Sequence, residues 1–234
     1  MLADICANVV RTRPITTGYS LYLDAGNASS NSGSGATWSD LSGNGYDMTW
    51  TGGYGRGGSG ATAYFTTDGI NGTHAKRTST SFYGAAQTWS GWFYATRDAT
   101  QFPMSEELGG NYFLGLLWTA GGNISFIGYD SVSYRFQTPT TGGATGLSQS
   151  TWYHFAGVYD GSNAYVYVNG TQAATVAQTG SITAQTTTYK IGTYSETNTS
   201  VWQGRIAQVV LYSTALSAAQ VLTNFNADKA RYGY

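Results

Sequence analysis

Hydrophobic and polar positions alternate most clearly between residues 152 and 170, where the pattern predicts two β-strands joined by a tight turn. The first strand, 152–159, carries apolar or aromatic side chains on both faces, so we expect it in the middle of a sheet with both faces covered. An Asp-Gly pair at 160–161 and an Asn-Gly pair at 169–170 supply the positive backbone dihedrals of type I′ hairpin turns. The pattern therefore predicts an antiparallel sheet.

Comparable short segments recur along the chain between turns rich in glycine, asparagine and serine, and this regularity is typical of a β-sandwich or barrel. The glycine-rich segment 52–60 is not followed by Lys-Ser/Thr or by a helix, so we interpret it as a surface loop rather than a phosphate-binding loop. We predict strands at 19–23, 61–66, 87–95, 112–118, 123–129, 133–138, 152–159, 164–169, 171–178, 189–194 and 203–212.

One helix is predicted near the end of the sequence, at 217–228. Ser217 and Gln220 have the spacing of a capping box, in which each side chain bonds the backbone N–H of the other residue. Val221 and Phe225 then fall on one apolar stripe, so we expect the helix to pack on the flank of the sandwich.

The first 18 residues differ from the rest and end in Arg-Thr-Arg-Pro-Ile-Thr-Thr-Gly. Pro14 restricts the residue before it to extended geometry, so we predict an extended N-terminal arm at 1–18 and a single domain at 19–234. An extended segment with free backbone groups can add a strand to a neighbouring protein, which makes this arm a candidate anchor.

Composition narrows the class of protein. The 234-residue chain has a net charge of −1, 10% charged residues and 15% aromatic residues, which excludes a disordered chain and argues against a nucleic-acid partner. Its single cysteine, Cys6, rules out an internal disulfide framework. Neither a convincing signal peptide nor a run of transmembrane length is present in the sequence, so no membrane partner is expected.

Several segments resemble, in the same order, the motifs of laminin-G-like domains, which belong to the concanavalin A-like lectin and glucanase fold. The resemblance covers residues 19–234 and implies an all-β, two-sheet antiparallel jelly-roll sandwich with a short C-terminal helix. The segments that carry it are 21–27, 37–45, 89–94, 152–161, 165–170, 190–192 and 204–217.

The Tyr-Leu-Asp-Ala-Gly-Asn segment at 22–27 and the Asn-Ala-Asp-Lys-Ala-Arg-Tyr-Gly segment at 226–233 resemble the variant found in structural proteins of tailed phages, especially of cyanobacterial and marine phages. This resemblance implies a non-enzymatic virion protein, either a capsid decoration or cement protein or a tail-fibre component. Such a protein is made in the host cytoplasm, contacts other virion proteins through the arm and is compatible with a homotrimer. The alternative is an adhesin that binds glycans on the host surface.

A third alternative, an endoglucanase-like hydrolase, finds little support in the acidic residues. Retaining glycosidases need two carboxyl groups about 5–5.5 Å apart. The three glutamates of the chain are Glu106, Glu107 and Glu196, and the two adjacent ones would face opposite sides of a strand. We therefore name no catalytic residue. We also read His154, inside a predicted strand, as a core histidine.

Calcium is bound by some laminin-G-like and pentraxin-like relatives, so the resemblance raises the question of a metal site. Calcium needs several oxygen ligands from a turn. Asp68 and Asn71 offer one candidate set, and Asp40 and Asn44 offer another, although turn formation alone also accounts for both loops. The expectation is no required cofactor, with calcium at Asp68 and Asn71 as the candidate metal site.

Carbohydrate binding needs an aromatic platform with polar partners. Trp50, Tyr54, Trp118 and Asn123 lie in or beside glycine-rich loops and are the candidate ligand-binding residues. The alternative for each aromatic side chain is packing inside the sandwich.

Overall fold

Two antiparallel β-sheets face each other across an aromatic interior in the computed structural model, which describes residues 15–80, 85–108, 112–129, 134–180, 186–195 and 200–234. The predicted all-β, two-sheet jelly-roll architecture is confirmed. In chain order the strands are β1 (Tyr19–Asp24), β2 (Thr37–Trp38), β3 (Met48–Thr51), β4 (Gly55–Gly57), β5 (Tyr64–Asp68), β6 (His74–Thr80), β7 (Gln87–Ala95), β8 (Gln101–Leu108), β9 (Tyr112–Thr119), β10 (Asn123–Tyr129), β11 (Tyr134–Gln137), β12 (Trp152–Tyr159), β13 (Asn163–Val168), β14 (Thr171–Ala177), β15 (Thr186–Ile191) and β16 (Gln203–Tyr212), followed by helix α1 (Ala218–Asp228).

Each sheet contains eight strands. Sheet I has the order β14-β13-β12-β7-β16-β5-β4, and β1 also pairs with β16. Sheet II has the order β11-β10-β9-β8-β15-β6-β3-β2. Among the described residues, the structure contains no helix that is long and apolar enough to cross a membrane.

Strand β12 lies inside sheet I and is covered on both faces, as predicted. Phe155 and Tyr159 point into the core between the sheets, whereas Ala156 and Val158 belong to a second cluster on the outer face of sheet I. The turn after β13 begins at Asn169, whose φ of 51° precedes a φ of 80° at Gly170, which is the pair of positive values that the Asn-Gly dipeptide predicts.

Helix α1 covers the outer face of sheet I. The capping box is confirmed, since the Ser217 hydroxyl accepts from the N–H of Gln220 at 3.3 Å and the Gln220 side chain accepts from the N–H of Ser217 at 2.8 Å. Val221 and Phe225 are buried, and the Phe225 ring stacks on Trp92 of β7 with 5.6 Å between centroids. The apolar stripe read from the sequence is therefore the face that contacts the sheet.

An ionic cluster joins the beginning of the domain to its end. The guanidinium of Arg231 donates to both carboxylate oxygens of Asp24, at 2.6 and 2.9 Å, and to Asp228 at 2.8 Å. The Arg231 and Asp24 side chains are only 10% and 7% exposed. Gly26 lies against this cluster, where a Cβ atom would come within 2.3 Å of Arg231 and 2.5 Å of the Ala61 carbonyl oxygen. Segments 22–27 and 226–233 thus meet in space.

The predicted arm is described from residue 15 onward, and residues 1–14 lie outside the described part of the chain. Ile15 packs against the cluster on the outer face of sheet I. Its N–H donates to the Asn224 side chain at 2.8 Å, and its carbonyl accepts from the Tyr212 hydroxyl at 3.1 Å. Residue 15 is therefore hydrogen-bonded to helix α1 and to strand β16.

Several strand predictions differ from the structure. Five strands were not predicted, namely β2, β3, β4, β6 and β8, and β4 lies inside the segment 52–60 that we interpret from sequence as a surface loop. Residues 60–62 form a 3-10 turn before β5 begins at Tyr64. Strand β8 contains Pro103 at a point where its register with β9 shifts, which is the irregular position in which a sheet accepts proline. In β8 the adjacent acids Glu106 and Glu107 interrupt the period-2 alternation that identifies a strand. In β6 the mostly polar sequence hides the same alternation.

Candidate functional site

Two of the four candidate ligand-binding residues are interior residues. Trp50 is 2% exposed and packs on Phe65 with 4.9 Å between ring centroids, while Trp118 is 0% exposed and packs on Phe155 at 6.2 Å. A ring that stacks on a sugar must offer an open face. The expectation of a platform at Trp50 and Trp118 is therefore corrected in favour of the packing alternative.

The other two candidates reach the surface, but they lie at separate places. Tyr54 stacks on Trp50 at the end of β3, whereas Asn123 begins β10 and donates through its amide to the Ala120 carbonyl at 2.7 Å. Strands β3 and β9, which carry Trp50 and Trp118, are four positions apart in sheet II. At roughly 4.8 Å per strand this is about 19 Å, so the four residues do not form one site.

The candidate calcium ligands act as turn formers. Asp68 accepts from the N–H of Ile70 at 2.9 Å, and Asn71 is an exposed neighbour. The Asp40 carboxylate accepts four hydrogen bonds from its own loop and strand β1, at 2.6 to 3.0 Å. Within the described ranges, no three His, Cys, Asp or Glu residues gather as metal ligands. Asp68 and Asn71 together offer one carboxylate and one amide, and calcium binding there stays a prediction.

The adjacent glutamates face opposite sides of β8, as expected for neighbours on a strand. Glu106 is 0% exposed, whereas the exposed Glu107 forms an ion pair with Lys190. Glu196 lies outside the described residues. Glu106 and Glu107 therefore cannot act together on one substrate.

The structure confirms His154 as a core residue. It lies beneath helix α1, with its ring 5.4 Å from the Trp92 ring and 6.2 Å from the Phe225 ring. Burial lowers the pKa of His154 to about 3, because the apolar surroundings disfavour the charged imidazolium. His154 is thus a neutral packing residue at ordinary pH.

Strand register assembles a different surface on the outer face of sheet I. Trp152 of β12 lies opposite Tyr94 of β7, Tyr94 lies opposite Arg205 of β16, and Arg205 lies opposite Thr66 of β5. Directly paired residues project to the same face of a sheet, so the four side chains form one row. Tyr64, two positions from Thr66 on β5, joins them. We call these five residues the aromatic strip.

The rings of the strip contact one another and remain partly exposed. Trp152 lies 5.5 Å from Tyr94 and 5.8 Å from Tyr64, with interplanar angles near 60° in both pairs. Behind Trp152, the ring of the buried Tyr232 packs at 5.0 Å and fixes the indole against the end of the C-terminal segment. The strip is therefore a supported surface rather than a set of free side chains.

The polar groups of the strip are open. The indole N–H of Trp152 and the hydroxyls of Tyr94 and Tyr64 make no hydrogen bond to any described residue, and none of these atoms is among the buried polar atoms. The guanidinium of Arg205 lies over the rings of Tyr94 and Tyr64, 4.3 and 4.7 Å from their centroids. Aromatic faces with a few convergent hydrogen-bonding groups are the usual lining of a ligand site.

Sequence reasoning missed this strip. Trp152, Tyr94 and Arg205 fall in predicted strands, but they are distant in sequence and become neighbours only through the strand order β12-β7-β16-β5. The available signal was the alternation within each strand, which assigns Trp152 to the face opposite Phe155.

Comparisons with known proteins agree with this fold. The chain belongs to the Concanavalin A-like lectin/glucanases superfamily, whose laminin-G-type profile matches residues 67–222. This membership confirms the resemblance to laminin-G-like domains read from the sequence. No curated protein sequence matches the chain.

Several solved structures share the architecture. Domain 4 of AbnA, a GH43 extracellular arabinanase from Geobacillus stearothermophilus solved in complex with arabinotriose, superposes with a TM-score of 0.67 at 18% identity, covering 88% of this chain and 97% of that domain. The binding domain of botulinum neurotoxin serotype D superposes with a TM-score of 0.68 at 14% identity, covering 91% of this chain and 52% of that chain. A Trypanosoma rangeli sialidase superposes with a TM-score of 0.65 at 15% identity, covering 93% of this chain and 34% of the sialidase chain. The chain thus spans about half of the toxin binding domain and a third of the sialidase, and these similarities show the fold alone.

Proposed function

We propose that the chain binds carbohydrate through the aromatic strip and does not hydrolyse it. The observation that carries the proposal is the supported row of partly exposed rings with open hydrogen-bonding groups on sheet I. The C–H faces of a sugar ring pack on aromatic faces, while its hydroxyls bond indole, phenol and guanidinium groups. The similarity to an arabinanase domain solved with arabinotriose supports this type of ligand. The opposite orientation of Glu106 and Glu107 supports the absence of glycosidase chemistry.

Replacing Trp152 with alanine is expected to weaken binding to any oligosaccharide that the protein recognises by at least about tenfold. The reason is that stacking on the indole face and its N–H bond are lost together. An array of plant and bacterial-surface oligosaccharides identifies the ligand, calorimetry gives the affinities, and a reducing-end assay checks that no sugar is cleaved.

Tyr54→Ala provides the control, because Tyr54, like Trp152, is a partly exposed aromatic residue packed against another ring, but it lies away from the strip. We expect its affinity to stay within about twofold of the unmodified protein. Loss of binding in Tyr54→Ala with normal binding in Trp152→Ala would contradict the proposal and restore the site expected from sequence.

We further propose that this domain belongs to the particle of a tailed phage, as a capsid decoration protein or part of a tail fibre, with residues 1–14 as the anchor. The support is the resemblance of segments 22–27 and 226–233 to such proteins, and the fastening of Ile15 to Asn224 and Tyr212, which sets where the anchor leaves the domain.

Deleting residues 1–14 while keeping Ile15 is expected to leave a folded domain that no longer enters particles. The domain retains its contacts at Ile15, whereas the anchor is gone. Circular dichroism checks the fold, and mass spectrometry of purified particles checks incorporation. The Trp152→Ala variant should enter particles normally. Normal incorporation of the truncated chain would overturn the anchoring role.

A further inference from the structure

Arg205 differs from the other arginines of the chain. The structure describes five arginine side chains, and four of them, Arg56, Arg77, Arg97 and Arg231, donate hydrogen bonds to oxygen atoms of described residues. Arg205 donates to none of the described residues. Its five N–H groups thus have no intramolecular acceptor in the described part of the protein, and its nitrogens are not among the buried polar atoms that lack a partner.

The guanidinium is nevertheless held in place. Tyr94 lies 4.3 Å from it and Tyr64 lies 4.7 Å from it, so the two rings hold the cation by cation–π attraction. Its backbone lies inside sheet I, paired with β7 on one side and β5 on the other. The cation is therefore oriented before any ligand arrives, and less entropy is lost when its fork of N–H groups forms hydrogen bonds.

Among the residues that the structure describes, no acidic side chain forms an ion pair with this cation. Ion pairs between described residues include Lys190 with Glu107, and Arg231 with Asp24 and Asp228. None of them involves Arg205. A planar guanidinium matches a carboxylate through two parallel hydrogen bonds, and such charge-assisted bonds are roughly twice as strong as neutral ones.

We infer that the aromatic strip selects saccharides that carry a carboxylate, with Arg205 binding the carboxylate and Trp152 stacking on a sugar ring. This inference rests on the proposed carbohydrate-binding function and narrows its ligand class. Sialic acids and uronic acids both supply the required group, so the experiment includes one of each.

The test measures affinities of the full chain by calorimetry for two matched pairs of probes: sialyllactose against lactose, and trigalacturonate against its methyl ester. We expect the carboxylated member of at least one pair to bind about tenfold or more tightly, since a charge-assisted hydrogen bond replaces a neutral one. Preference in one pair only identifies the source of the carboxylate.

Arg205→Gln should abolish this preference, so that the carboxylated and neutral members of each pair bind equally, and Arg205→Lys should keep only part of it because the fork is lost. Arg77→Gln is the control, since Arg77 also lies over a tyrosine ring, at 4.8 Å from that of Tyr46, but belongs to sheet II. Thermal unfolding verifies that each variant is folded.

The outcomes separate the two proposals. Equal binding of the carboxylated and neutral probes overturns the inference and leaves the carbohydrate-binding function in place. A preference that survives in Arg205→Gln also overturns it, because another cation would then read the carboxylate. Absence of binding to every saccharide on the array overturns both.

Discussion

Arg231→Ala is expected to lower the free energy of unfolding by about 3–5 kcal/mol, because it leaves two buried carboxylates without their cation. The side chain makes three hydrogen bonds to Asp24 and Asp228, of 2.6 to 2.9 Å, and a fourth from its Nε to the Ala61 carbonyl at 2.7 Å. All four lie in a cluster that is nearly closed to solvent. Equilibrium unfolding in urea measures the change.

The matched control is Arg77→Ala, which removes a partly exposed arginine. Its cation–π contact contributes about 0.5–1 kcal/mol and its hydrogen bond to the Gly45 carbonyl about 0.5–1.5 kcal/mol, so this variant should lose less stability than Arg231→Ala. If Arg231→Ala lost no more stability than Arg77→Ala, the cluster would have no structural role. The contact between segments 22–27 and 226–233 would then not be explained by a gain in stability.

Trp118→Ala is also expected to have a large effect, lowering the free energy of unfolding by about 3–5 kcal/mol. The indole is fully buried beside Phe155 and Trp202, so its removal leaves a cavity that the two sheets can fill only in part. For a domain of this size the loss corresponds to a fall in melting temperature of roughly 6–20 °C, which calorimetry measures directly.

Trp152→Ala tests the same residue type at the surface. It should lose less stability than Trp118→Ala, because Trp152 is partly exposed, but it should lose saccharide affinity. Trp118→Ala, assayed below its melting temperature, should keep that affinity. The reverse pattern would place the ligand near Trp118 and contradict the burial argument.

Much of the fold was predictable from local patterns. The hydrophobic residues on both faces of β12 indicated a covered strand, and the Ser217–Gln220 capping box gave the start of α1. Both signals are local, because burial and capping depend on residues a few positions apart. Strand β8 escaped prediction because Pro103 at its irregular register and the adjacent acids Glu106 and Glu107 contradict the usual alternation.

The candidate site was less predictable for a physical reason. The closeness of Trp50 and Trp118 to glycine-rich loops in the sequence predicts a surface position, yet alternation places both rings between the sheets. The strip instead depends on which strands are neighbours. Trp152 and Arg205 are brought together by strand β7 between them, and a single sequence carries no direct signal for that order.

The Asp24–Arg231 contact also has a consequence for how this protein forms in the cell. The two residues are 207 positions apart, so a nascent chain emerging from the ribosome must expose Asp24 without its cation until nearly all of the domain has been synthesised. Strand β1 likewise waits for its partner β16. Such long-range pairing is characteristic of slow folding, and it places completion of the domain after translation of its last helix.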